Sequence, residues 1–104
     1  MLFNKRPKRD TPMDQFLHRE ALSDDERAIL DLYLTGVAHA LNGVNAVHAA
    51  SDKEPIYLRP DDRAALEAAE LKDIIDDFLK HRPDMKQVPL GLVAVTAVLY
   101  KFNP

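Results

Sequence analysis

Apolar residues recur at helical spacing along most of this chain, and polar, proline-bearing stretches divide the pattern into segments. The first segment opens at Thr11-Pro12, where threonine suits a helix cap and proline the first helical position, with Asp14 in the first turn. A short helix is expected from there to about Ala21, with Met13, Phe16, Leu17 and Ala21 on its apolar side. Ser23-Asp24-Asp25-Glu26 is the strongest start signal. Serine can cap the amide of Glu26 while the glutamate reaches back, and the aspartates favour the positive end of a helix. The helix that follows is expected to be long, near 24–50, and carries two adjacent stripes. One reads Leu30, Leu34, Val37, Leu41, Val44; the other reads Ile29, Tyr33, Gly36, Ala40, Gly43, Val47. Glycine inside a helix costs on the order of 1 kcal/mol relative to alanine. Gly36, Ala40 and Gly43 are therefore read as a groove of small residues crossed closely by another helix or by a second subunit.

Ser51-Asp52-Lys53-Glu54-Pro55 reads as a loop. Ile56, Tyr57 and Leu58 form an apolar island between two prolines, expected to tuck an extended connector against the core. Leu71, Ile74, Ile75, Phe78 and Leu79 then define an amphipathic helix that runs to about Arg82 and stops at Pro83. Whether Asp61 to Glu70 joins that helix or forms a separate turn is open on spacing alone. Val88 to Tyr100 is rich in valine but lacks steady alternation, and a lone strand would have no partner for its backbone. It is read as a buried helix with Pro89 at its start. The expected fold is all-α: a compact bundle of about four to five helices, in which 1–10 is a flexible basic arm and 11–104 a single helical domain.

The bulk properties add limits on function. With 104 residues, 46% hydrophobic and 30% charged, the chain has the size and composition of one soluble domain. The net charge of −3 argues against nucleic acid as the main partner. Lys5, Arg6, Lys8 and Arg9 against Asp10 make the first ten residues +3, which leaves −6 for the remainder. That arm is read first as a solvated tail. The alternative is a small regulatory or nucleic-acid-associated protein that uses it. The chain has no cysteine, which excludes disulfides and thiolate metal sites. No apolar run follows the basic start as in a secretory signal, and the longest apolar stretch, Leu90 to Tyr100, is short of the ~20 residues of a membrane-spanning helix. The expected location is the cytoplasm, with no membrane span.

Catalytic chemistry finds no foothold in the sequence. Glu70, Asp73, Asp76 and Asp77 include carboxylates one turn apart, but Lys72, Lys80 and His81 at neighbouring spacings make a solvated, charge-balanced helix face the simpler reading. His39 and His48 lie nine residues apart on one helix and point to different sides. Ser23 and Ser51 read as a cap and a loop residue. No phosphate loop, zinc-protease motif or nucleophile elbow is present. No enzyme activity, cofactor or metal is expected. Asn42 and Asn45 stand inside the long helix, where asparagine is unfavourable. They are read as solvent-facing or backbone-bonding, with a polar patch shared with His39 at a helix or subunit contact as the sharper alternative.

The order Tyr33-Leu34-Thr35-Gly36-Val37-Ala38-His39-Ala40-Leu41, Ile56-Tyr57-Leu58-Arg59-Pro60, His81-Arg82-Pro83-Asp84, Val88-Pro89-Leu90-Gly91 and Phe102-Asn103-Pro104 resembles the Rap/Tai family of type VI secretion amidase-immunity proteins. The resemblance covers about Ile29 to Pro104. It implies a small helical homodimer that inhibits a peptidoglycan amidase by occluding its cleft with a protruding loop and helix surface. Gly36, Tyr57, Pro60, Pro83, Pro89, Gly91 and Phe102 match positions of the family pattern and are expected to be structural. Leu58 stands where the family has its first cysteine, the second would follow Pro104, and a periplasmic location is usual for the family. The candidate partner-binding surfaces are the loop Ser51, Asp52, Lys53 and Glu54 and the connector that carries Asp84, Lys86 and Gln87.

Overall fold

The computed structural model describes residues 11–57 and 65–102. The basic arm, Leu58, Pro60 and the two final residues lie outside that description. The described chain is all helical, with α1 (Pro12–Leu17), α2 (Asp24–Ala50), α3 (Ala68–His81) and α4 (Leu90–Lys101), and short 3-10 turns at Arg19–Ala21 and Pro83–Gln87.

Local capping sets most of the boundaries. Thr11 Oγ1 accepts from the Asp14 amide at 3.1 Å and donates to the Asp14 carboxylate at 2.8 Å. At the start of α2, Ser23 Oγ accepts from the Glu26 amide and Glu26 accepts from the Ser23 amide, so the reciprocal box forms as the sequence predicts. The helix then runs unbroken to Ala50 and ends at Asp52, whose φ of 58° is a left-handed conformation that aspartate tolerates better than most residues. α1 is shorter than expected. His18 leaves helical geometry, a 3-10 turn follows, and Leu22 rather than Ala21 reaches the core, because the turn shifts the face that the helix had presented.

All five apolar positions of α3 are buried, which gives one stripe against α4, its most extensive neighbour. α3 starts only at Ala68, after the non-helical residues Ala65 to Glu67, and Asp61 to Ala64 lie outside the described residues. The valine-rich segment is helical from Leu90 to Lys101, not a strand, while Val88 itself is extended. Leu90, Val93, Ala94, Ala97 and Val98 are buried, with Pro89 at the cap position. α2 packs on both α3 and α4 through Leu30, Leu34, Ala38 and Leu41. Met13 and Phe16 of α1 close one side, and Phe102 meets the buried Tyr57 with ring centroids 6.1 Å apart on another. Tyr57 and the half-buried Ile56 lie against the core, as the apolar island predicts.

Candidate protein interaction surfaces

The two stripes of α2 have different fates. The first faces the core over much of its length, although Val37 is only partly buried and Val44 is exposed. The second is open. Ile29 is 62% exposed and Val47 63%; Leu32, beside the stripe, is 72% exposed, while Tyr33 and Val44 are about two-fifths exposed. Gly36, Ala40 and Gly43 are exposed as well, and a Cβ built on either glycine meets nothing within 4 Å. Among the described residues, then, no helix of the chain itself crosses the small-residue groove. The expected crossing is not seen among the described helices because α3 and α4 both pack on the other side of α2.

The loop Ser51, Asp52, Lys53 and Glu54 is exposed throughout. It is nevertheless anchored. The Lys53 amide donates to the His48 carbonyl at 2.7 Å, and His48 Nδ1 donates to the Glu54 carbonyl at 2.8 Å. Its backbone is thus pre-shaped while its charged side chains point to solvent.

The connector Pro83–Gln87 forms a 3-10 turn, with Asp84, Lys86 and Gln87 exposed. Arg82 Nε and Nη2 donate to the two carboxylate oxygens of Asp84 at 3.1 and 3.0 Å. That fork holds the Asp84 carboxyl below the usual carboxylate range, chiefly through the hydrogen bonds, and raises the Arg82 guanidinium for the same reason. Lys86 borders a groove of about 310 Å³ with Leu17, Arg19, Asp76, Leu79 and Lys80. Arg19 is already engaged there. Its guanidinium pairs with Asp76, donates to the Phe16 carbonyl at 2.8 Å and lies 4.2 Å over the Phe16 ring.

Acidic residues of α3 behave as a surface face with local partners. Asp76 meets Arg19, and Lys72 crosses to Asp31 of α2. Among the described residues no group of three or more histidines and carboxylates converges as a metal site would require. His39 lines a separate groove of about 350 Å³ between α2 and the start of α3, with Thr35, Leu66 and Glu67.

Asn42 and Asn45 follow the backbone-bonding reading. Both bond the backbone of the connector. Asn42 pairs with Leu66 and accepts from the Tyr57 hydroxyl at 2.8 Å, while Asn45 accepts from the Ile56 amide at 2.8 Å and donates to the Tyr57 carbonyl at 3.1 Å. The sequence signal for this was two asparagines three apart in a helix, where asparagine is unfavourable. Compared with family models, curated proteins and solved structures, the chain matches none of them.

Proposed function

We propose that this chain is a protein-binding module of the immunity type, working as a homodimer that inhibits its target by covering it. On the sequence resemblance, that target is a secreted peptidoglycan amidase. The observation that carries the binding role is the uncovered face of α2. From Leu32 to Ala50 the helix has no Asp, Glu, Lys or Arg, in a chain that is 30% charged. Solvated helix faces ordinarily carry charge. An exposed face without any costs little to dehydrate, which favours a macromolecular partner. No helix of the described residues is long and apolar enough to cross a membrane, so burial in a bilayer as a spanning segment does not account for it.

The loop at 51–54 and the turn at 83–87 supply the polar part of this reading. A backbone held by His48, or by the Arg82–Asp84 fork, loses less freedom on binding than a mobile loop would. The test is direct titration of the purified protein with a cell-wall amidase, read by calorimetry and by residual amidase activity, alongside fractionation to establish the compartment. Saturable inhibition weakened by charge reversal at Lys53 or Lys86 is expected. Absence of binding to any such hydrolase, from a protein confined to the cytoplasm, would refute the amidase assignment.

A further inference from the structure

We propose that the groove between the end of α1, α3 and the turn Pro83–Gln87 seats an acidic segment of a protein partner, with an apolar side chain beside its carboxylates. The proposal rests on the reading that this turn belongs to a partner-binding surface, and adds the seat and the chemistry that fills it. Leu17 and Arg19 line one side, Asp76, Leu79 and Lys80 of α3 another, and Lys86 of the turn the third. Asp76 is the one acidic residue among these six, and Arg19 already pairs with it. Lys80 and Lys86 are exposed and make no hydrogen bond or ion pair among the described residues. Asp84, just before Lys86, is held by Arg82 instead. Two positive charges are therefore left over in one groove of a chain whose net charge is −3. Unpaired charge of one sign in a concave setting attracts the opposite sign.

The charges already fixed in the groove direct where the incoming carboxylates go. Arg19 cannot turn to a new anion without giving up its bond to the Phe16 carbonyl, its place over the Phe16 ring and its pair with Asp76. Asp76, one turn before Lys80 on α3, repels a carboxylate at that end. Negative charge on the ligand is thus steered to the amines of Lys80 and Lys86.

A peptide fits this groove better than a phosphate chain. Leu17 and Leu79 set apolar surface beside the amines, and a volume of about 310 Å³ is at the small end of ligand clefts, enough for a few side chains. Two free amines fall short of the ~6–10 phosphate contacts from which nucleic-acid binders draw their affinity. Exposed ion pairs contribute little each, so weak, salt-dependent binding is the expected behaviour.

The probe is a fluorescein-labelled peptide of alternating glutamate and leucine, titrated with the full chain at low salt and read by anisotropy. It should bind about tenfold more tightly than the same peptide with glutamine for glutamate, and lose that advantage as salt rises. Lys80→Glu and Lys86→Glu should each weaken it about fivefold with unchanged circular dichroism, while Lys53→Glu, on the separate loop, leaves it unchanged. In NMR spectra the peptide should shift the amides of Leu17 and Leu79. Equal binding of the glutamine peptide would overturn the acidic chemistry. Binding indifferent to both lysine reversals, or no binding and no shift at millimolar peptide, would overturn the groove. A single-stranded oligonucleotide that displaces the peptide and binds more tightly would overturn the choice of a protein ligand. No amidase enters this assay, so a failed amidase titration leaves its outcome standing, and the reverse holds as well.

Discussion

Asn42 pairs its side-chain amide with both backbone groups of Leu66: Nδ2 donates to the carbonyl at 3.1 Å, and Oδ1 accepts from the N–H at 3.2 Å. Asn45, one turn on, treats Ile56 and Tyr57 in a similar way. α2 therefore serves Ile56, Tyr57 and Leu66 as a neighbouring strand would, supplying partners for backbone groups that have no helix of their own.

Asn42→Ala is expected to cost about 2–4 kcal/mol, since it leaves the Leu66 amide and carbonyl and the Tyr57 hydroxyl without their partner in a partly buried setting. Urea denaturation measures this. Asn42→Asp should recover only part of the loss, because the carboxylate cannot donate to the Leu66 carbonyl. A change below about 0.5 kcal/mol for Asn42→Ala would mean that water replaces these bonds freely.

Gly36→Ala and Gly43→Ala should each raise monomer stability by about 0.5–1 kcal/mol, as a new methyl meets no described neighbour and the unfolded chain loses freedom. The same changes should weaken self-association, giving opposite signs in thermal unfolding at low concentration and in sedimentation. Gly91 differs: a Cβ there would sit 2.9 Å from the Tyr33 hydroxyl oxygen. Gly91→Ala should gain less, and Tyr33→Phe in that background should restore part of the difference.

Arg19→Ala should destabilise by about 1–2 kcal/mol, through loss of packing on Phe16, the bond to its carbonyl and the partly exposed pair with Asp76. Arg19→Lys should not restore it, because a point ammonium cannot stack on the ring and fork to two acceptors together. Equal stabilities of the lysine variant and the parent protein would remove the geometric argument.

The Asp84 carboxyl should titrate by NMR below an ordinary aspartate, and return toward the ordinary value in Arg82→Ala. The sign follows from its lowered value in the folded state. Its contribution to stability is present above the unfolded-state value and is lost as pH falls through the folded one. An unchanged midpoint in Arg82→Ala would show that the pair is not maintained in solution.

The helices themselves were legible in the residues. A reciprocal cap at Ser23 and Glu26, proline at Pro12, and the five-residue stripe of α3 are local or periodic signals, and each appears where the sequence places it. Ala21 was misplaced because the 3-10 turn after His18 depends on how the chain must swing into α2, which no local preference specifies.

Tertiary structure decided which side of α2 is inside. The sequence offered two apolar stripes side by side, and periodicity alone does not say whether the weaker, glycine-bearing one is covered by another helix of the chain. Packing of α3 and α4 through their buried stripes selected the face of Leu30, Leu34, Ala38 and Leu41, and left Ile29, Gly36, Ala40, Gly43 and Val47 open. That Asn42 and Asn45 bond backbone was within the sequence reading, but their partners were not, since Asn42 and Leu66 are far apart in the chain and meet only after folding. Residue spacing determined that this protein is helical and where its helices begin. The competition among faces for one core determined which surface remained for a partner.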